Sequence, residues 1–204
     1  MEGELGDIYS TKDFFFIACF KSRFASTVIA EMRGINHNGV SPFWEAIGRP
    51  FFQMDFKHAD FINATQGGQF ISDLMPKYPI YVNLLATQAQ EVIGRPYDAS
   101  KPAMQLLEQE GFRHQGYVDV FDAGPTMQGE REHLRTVRES KRGVLVGTKP
   151  LSGANNMLVA TTGLADFRVG FTVAEEVEGG LILTPDAAGL LDLKQGDAVR
   201  FVAR

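Results

Sequence analysis

Residues 41–56, SPFWEAIGRPFFQMDF, predict a short helix followed by a strand. Ser41 is a favoured helix N-cap and Pro42 suits the first helical position, so we expect the helix to begin there. The aromatic-rich residues 51–56 favour a strand. We therefore expect Trp44 to lie in a core where this helix packs on a sheet.

The residues on either side extend this alternation of helices and strands. Before it we expect a helix over 7–23 and a strand over 26–33. After it the patterns predict helices over 59–75, 82–94 and 102–109 and a strand over 116–121. This order is typical of an α/β or α+β unit, which we place at residues 1–127.

The character of the sequence changes after residue 127. Residues 128–142 are rich in charge and predict a solvated linker helix. Short β-type runs separated by glycine, asparagine and aspartate then predict a small β-barrel or sandwich over residues 143–204, with one short helix at 185–191. We therefore expect two domains joined by a linker.

Composition excludes several classes of protein. Of the 204 residues 44% are apolar and 22% charged, which does not fit a disordered chain. The 20 basic and 25 acidic side chains are interspersed and give a net charge of −5, so we do not expect a nucleic-acid partner.

The apolar runs and the single cysteine argue against a membrane span, a disulfide and a metal site. The longest apolar run, residues 14–20, is too short for a membrane span, and the first residues lack the pattern of a secretory signal. Cys19 has no second cysteine to pair with, and no histidine has a partner at metal-ligand spacing. We therefore expect a cytoplasmic protein with no metal site and no membrane partner.

Several long motifs carry a resemblance to a known family. They are VIAEMRG, SPFWEAIGRPFFQMDFKHADF, DLMPKYPIY, AQEVIGRPYDAS, LLEQEGF and VFDAGPT. In this order and spacing they resemble the arginine N-succinyltransferases of bacterial arginine catabolism, over residues 6–204. The resemblance implies a GNAT-like mixed sheet flanked by helices, with an added C-terminal β domain. It also implies transfer of succinyl from succinyl-CoA, as co-substrate, to the α-amine of L-arginine, or also of ornithine, with no permanently bound cofactor.

The resemblance also indicates where this chain departs from the family. In GNAT-like folds a glycine-rich turn and a helix N-terminus hold the CoA pyrophosphate. Residues 2–6 correspond to the end of that turn, which makes Gly3 and Gly6 the expected cofactor-binding residues and implies that the N-terminal half of the fold is absent. Tyr78 stands where the family carries histidine. A homo-oligomer or a companion chain is therefore the expected source of the missing half.

Three functions follow from this comparison. The first is arginine N-succinyltransferase. The second is a non-catalytic remnant, or a subunit of a split succinyltransferase that contributes amino-acid binding and assembly. The third is an N-acyltransferase for another amine or another acyl-CoA.

The end of the predicted strand at 26–33 carries two candidate residues. Glu31 and Arg33 lie two residues apart, so alternation places them on one face of the strand. Glu31 is a candidate to bind the guanidinium or to relay a proton, and Arg33 to bind the substrate carboxylate or the succinyl tail. The alternative is an internal Glu–Arg pair that supports the sheet.

Further candidates follow other predicted elements. Asp119 and Asp122 end a strand and are candidates for substrate binding, with turn capping as the alternative. Asp55 is a third substrate-binding candidate. Tyr78 and Tyr81 lie in a loop stiffened by prolines and are candidate acids for the departing thiolate, with packing against neighbouring helices as the alternative.

Overall fold

The computed structural model describes the backbone of residues 2–152 and 155–203, and side chains from residue 11 onward. The chain divides into two compact units. The mixed unit comprises residues 29–107 and 113–128, and the barrel unit comprises residues 2–28, 108–112 and 129–203. The barrel unit is therefore assembled from separate stretches of sequence.

The helices and strands have the following bounds. The first part of the chain contains α1 (Glu2–Cys19), β1 (Thr27–Glu31), α2 (Arg49–Phe52), α3 (Phe56–Gln66), α4 (Gln69–Leu74), α5 (Thr87–Val92), α6 (Lys101–Glu110), β2 (Arg113–Val118) and β3 (Pro125–Glu130). The second part contains α7 (Arg135–Glu139), β4 (Lys141–Thr148), β5 (Asn155–Thr161), β6 (Val169–Val177), β7 (Gly180–Leu183), α8 (Pro185–Leu191) and β8 (Ala198–Ala203). The predicted mixture of helices and strands is confirmed. No helix in the described ranges is long and apolar enough to cross a membrane.

The predicted helix start at Ser41 is confirmed. The Ser41 hydroxyl accepts a hydrogen bond from the Trp44 backbone N–H at 3.1 Å and donates one to the Phe121 carbonyl oxygen at 3.0 Å. Residues Trp44–Gly48 form a π-helical turn that runs directly into α2. The serine thus caps the helix and ties it to the segment that follows β2.

The strand predicted over 51–56 is wrong. Its first two residues end α2, Gln53 adopts a left-handed conformation with φ of 53°, and Asp55 caps α3. The aromatic side chains of this segment contact the preceding helical turn instead. Phe52 stacks on Trp44, with ring centroids 5.1 Å apart. Tertiary packing has overridden the local β propensity.

Two other predictions need correction. Helix α1 begins at Glu2, so Gly3 and Gly6 lie in a helix and not in a turn. The linker helix predicted over 128–142 is wrong for most of its length, because β3 continues to Glu130 and α7 covers only Arg135–Glu139.

The mixed unit has a three-stranded sheet in the order β1-β3-β2, in which β2 and β3 are antiparallel. The barrel unit confirms the predicted C-terminal β-barrel. Its strands close in the order β4-β7-β6-β5-β8, and α8 occupies the predicted residues 185–191. The barrel interior is apolar and includes Leu145, Val159, Leu181, Leu183 and Val199.

A buried carboxylate holds the start of α7 inside the barrel unit. Glu110 is 4% exposed and accepts hydrogen bonds from Arg135 Nη2 at 3.0 Å and from Thr136 N and Thr136 Oγ1, both at 2.9 Å. Three donors therefore converge on one carboxylate.

We expect Glu110→Gln to lower the free energy of unfolding by about 1–3 kcal/mol, because the amide turns one acceptor into a donor that faces other donors. Urea denaturation followed by circular dichroism measures the change. Glu139→Gln is the matched control, since the Glu139 side chain is 46% exposed. Equal losses in the two variants would contradict the role given to Glu110.

Candidate active site

Four of the residues predicted from the sequence line one cavity of the mixed unit. The cavity has a volume of about 330 Å³, and its walls include Glu31, Arg33, Asp119 and Asp122. β1 supplies the first residue and the segment directly after it supplies the second. The two aspartates come from the turn between β2 and β3, so both strand ends identified in the sequence meet at one site.

Two glycines allow the strand end and the turn to approach each other closely. The Met32 backbone N–H donates a hydrogen bond to the Pro125 carbonyl oxygen at 3.1 Å. A Cβ atom on Gly34 would overlap the Asp122 carbonyl oxygen, and a Cβ atom on Gly124 would overlap the Met32 carbonyl oxygen. The spacing of this side of the cavity is therefore set by backbone atoms.

The turn itself is held by its own aspartates. Asp119 Oδ1 accepts hydrogen bonds from the backbone N–H groups of Phe121 at 2.8 Å and Asp122 at 3.0 Å, and Asp122 Oδ1 accepts one from Gly124 at 2.9 Å. Turn capping, the structural alternative for these residues, is confirmed. Each carboxylate keeps its Oδ2 without a hydrogen bond from any described residue, so capping leaves one oxygen of each for a ligand.

The cavity is strongly acidic. Among the described residues, four carboxylates, those of Glu31, Asp60, Asp119 and Asp122, line it together with one guanidinium, that of Arg33. Burial raises the pKa of Asp119, the charges of Asp122 and Glu31 raise it further, and the two backbone N–H groups partly oppose the shift. The ion pairs of the described residues do not include one between Glu31 and Arg33. The internal Glu–Arg pair considered as an alternative is therefore not formed.

Asp119 should make ligand binding depend on pH. Its raised pKa means that it is protonated in the folded protein at pH values where an ordinary aspartate is charged. We expect affinity for a cationic ligand to weaken as pH falls through this raised pKa. Asp119→Asn should lower that affinity about tenfold and remove this part of the pH dependence.

The raised pKa of Asp119 should affect folding stability in the opposite direction to ligand affinity as pH changes. The folded state binds the Asp119 proton more tightly than the unfolded chain, so this group favours folding less as pH rises from its ordinary pKa through the raised one. Asp119→Asn should therefore not lower the free energy of unfolding at neutral pH. Calorimetric titration and urea denaturation measure the two quantities, and an unchanged affinity across pH would contradict the assignment.

Other predicted residues lie elsewhere. Asp55 caps α3 by accepting a hydrogen bond from the His58 N–H at 2.9 Å and does not line the cavity. Tyr78 and Tyr81 are 84% and 78% exposed and are also outside its walls. The roles of these residues, and of Gly3 and Gly6 in α1, stay predictions. No group of histidine, cysteine or carboxylate side chains within the described ranges is arranged to hold a metal ion.

The cavity also has lining residues that the sequence did not predict, among them two polar residues of α3. Asp60 and Asn63 face the cavity from α3, together with Phe56 at the start of the same helix. The spacing of these three residues, i, i+4 and i+7, places them on one helical face, and this signal is present in the sequence. The predicted helix over 59–75 already contains Asp60 and Asn63; the structure adds Phe56, because α3 begins three residues earlier than predicted.

Two family models match the chain. The model of the arginine N-succinyltransferase beta subunit matches residues 1–136, and the model of that subunit's C-terminal domain matches residues 141–203. The boundary between the two models falls within the predicted linker, residues 128–142.

Relatives of similar sequence and fold carry related names. An arginine N-succinyltransferase of Escherichia coli is 40% identical over 199 residues, which is 97% of this chain and 58% of the relative. The arginine N-succinyltransferase subunit beta of Pseudomonas aeruginosa is 40% identical over 198 residues, with the same two coverages of 97% and 58%. The structure of arginine/ornithine succinyltransferase subunit AI from Pseudomonas aeruginosa matches with a TM-score of 0.80 and 31% identity, over 94% of this chain and 55% of that one. The chain therefore spans somewhat more than half the length of the relatives that it matches.

Proposed function

The chain belongs to the arginine N-succinyltransferase family, and on this premise we propose that it takes part in the transfer of succinyl from succinyl-CoA to the α-amine of L-arginine. The observation that carries the proposal is the acidic cavity with one guanidinium at its wall. Such a cavity suits a ligand with a permanent positive charge at one end and a carboxylate at the other.

The charges of L-arginine match those of the cavity. Its guanidinium is planar and always protonated, and carboxylates bind it in bidentate fashion. The free Oδ2 atoms of Asp119 and Asp122, with Asp60 on α3, are the proposed partners of the guanidinium. Arg33 is the proposed partner of the α-carboxylate.

The chemical step makes one further demand on the site. The α-nitrogen must be neutral when it attacks the thioester carbonyl carbon, the new C–N bond forms, and the C–S bond breaks to release the CoA thiolate. One proton leaves the nitrogen and one reaches the sulfur. Glu31, which lines the cavity without an ion pair to Arg33, is the proposed acceptor of the nitrogen proton. Tyr78 and Tyr81 stay candidates for the proton that reaches the sulfur.

The coenzyme side of the reaction is proposed to lie in the part of the family length that this chain does not match. The chain spans 58% of its curated relatives, and the rest of the family length is the proposed source of the strand and of most of the glycine-rich turn that would hold the CoA pyrophosphate. Two relatives are named as subunits, which supports a companion chain or a second copy as the partner. Ornithine is a second proposed amine, because one relative is named arginine/ornithine succinyltransferase.

Calorimetric titration with L-arginine tests the amino-acid site directly. We expect binding by the wild-type chain and about tenfold weaker binding by Asp60→Asn. The matched control is Asp73→Asn on α4, whose carboxylate accepts a hydrogen bond from Gln69 at 3.0 Å and does not line the cavity. Absence of arginine binding, or equal affinity in Asp60→Asn and the wild type, would overturn the assignment.

A thiol-release assay with succinyl-CoA tests the reaction. The assay uses the chain alone and with its companion, against arginine, ornithine and other amino acids. We expect turnover with arginine and its loss in Glu31→Gln. Equal turnover in Glu31→Gln would remove Glu31 from the mechanism, and turnover with an unrelated amine alone would replace the proposed acceptor.

A further inference from the structure

A second cavity adjoins the acidic one within the mixed unit. It has a volume of about 440 Å³ and shares Arg33, Asn36 and Phe56 with the acidic cavity. Asn38, Lys57 and Tyr97 also line it, and the described lining residues include no carboxylate. The two cavities therefore separate opposite charges, with Arg33 at the boundary between them.

The Lys57 side chain is held across a tight turn. His37 and Val40 exchange backbone hydrogen bonds at 2.9 and 3.0 Å, and Gly39 between them has a φ of 86°. A Cβ atom on Gly39 would lie 2.6 Å from Lys57 Cε and 3.0 Å from Nζ. The end of the lysine side chain therefore lies directly beside Gly39, and the positive φ of this residue favours glycine in the turn.

The ammonium group of Lys57 is available for a ligand. Within the described part of the chain it makes no ion pair. Two neighbouring side-chain oxygens already accept hydrogen bonds from backbone N–H groups: Asp55 from His58, and Asn36 from Gly39. The second cavity therefore presents the cations of Lys57 and Arg33 to whatever occupies it, and both favour an anion.

We propose that Lys57 binds the distal carboxylate of the succinyl group and so selects a dicarboxylic acyl donor. This inference rests on the proposed function. The product, N-succinyl-L-arginine, carries a guanidinium, an α-carboxylate and a distal carboxylate in that order. The adjoining cavities offer four carboxylates, then Arg33, then Lys57, which is the complementary order of charges.

The test compares two N-acylarginines that differ in one group. N-butyryl-L-arginine has the same chain length as N-succinyl-L-arginine but ends in a methyl group. We expect the wild type to bind the succinyl compound about tenfold more tightly in calorimetric titrations, and Lys57→Met to bring the ratio of the two dissociation constants close to one. Lys77→Met, on an exposed loop outside both cavities, should keep the wild-type ratio.

Each outcome decides one of the two proposals. A ratio near one in the wild type, or an unchanged ratio in Lys57→Met, overturns the role of Lys57 while arginine binding still supports the acceptor site. Failure of the wild type to bind arginine overturns the proposed function, and the inference about Lys57 with it. Because the readout is a ratio, a general loss of folded protein cannot imitate the expected result.

Discussion

Arg33→Met is expected to weaken L-arginine binding by about 10- to 100-fold, because a hydrogen-bonded partner of a charged group contributes about 1.5–3 kcal/mol. Arg33 provides the only guanidinium in the described lining of the acidic cavity, and it also lines the adjoining cavity. Methionine keeps much of the length of the side chain and removes its charge. Calorimetric titration of the variant and of the wild type measures the loss.

Agmatine separates the proposed role of Arg33 from a general disturbance of the cavity. Agmatine keeps the guanidinium of arginine and lacks the α-carboxylate, so Arg33→Met should change its affinity far less. The four dissociation constants form a double-mutant cycle in which the coupling energy isolates the carboxylate contact. Equal losses for arginine and agmatine would show that Arg33 does not bind the α-carboxylate. Arg49→Met, at an exposed ion pair with Glu45, is the matched control.

Trp44→Ala is expected to lower the free energy of unfolding by about 3–5 kcal/mol, the usual range for removing a large buried aromatic side chain. Trp44 is 0% exposed and stacks between Phe52 and Phe121, at centroid distances of 5.1 and 5.3 Å. Its indole N–H donates a hydrogen bond to the Met54 carbonyl oxygen at 3.0 Å. The alanine variant would leave both a cavity and an acceptor without its donor.

Urea denaturation followed by far-UV circular dichroism measures this effect without relying on the tryptophan signal. Phe51→Ala is the matched control, since Phe51 lies on α2, directly after the π-helical turn of Trp44, and is 40% exposed; it should cost less than about 1 kcal/mol. If Trp44→Ala lowered the free energy of unfolding no more than Phe51→Ala does, the proposed contribution of Trp44 to the core would be contradicted.

Local sequence rules predicted the elements that local interactions determine. The cap at Ser41, the helix over 185–191 and the C-terminal barrel all follow from capping chemistry or from short-range alternation, and the structure confirms them. The same alternation placed Glu31 and Arg33 on one face, and both line the acidic cavity. The sequence therefore predicted those residues of the candidate site that lie at or just after the ends of strands.

The failures have a common physical cause. The aromatic residues at 51–56 have high β propensity, but Phe52 stacks on Trp44 and Phe56 contacts Phe121, which lies 65 residues further along the sequence, and this packing favours helices instead. Asp60 and Asn63 lie in a helix that the sequence did predict, but nothing local to that helix indicates that it packs beside the ends of β1 and β2. The approach of Gly34 to the turn at Gly124 is equally non-local, and neither glycine indicates its partner in the sequence.

The contacts of these two glycines also suggest how acceptor preference can be altered in the laboratory. Because main-chain atoms fix the wall formed by β1 and the turn, the side chains that α3 contributes to the cavity can be exchanged without changing the glycine contacts. A library restricted to Asp60 and Asn63 would alter the size and charge of the space offered to the proposed amine substrate and leave the glycine contact intact. Directed evolution toward new amino acids should therefore begin on α3.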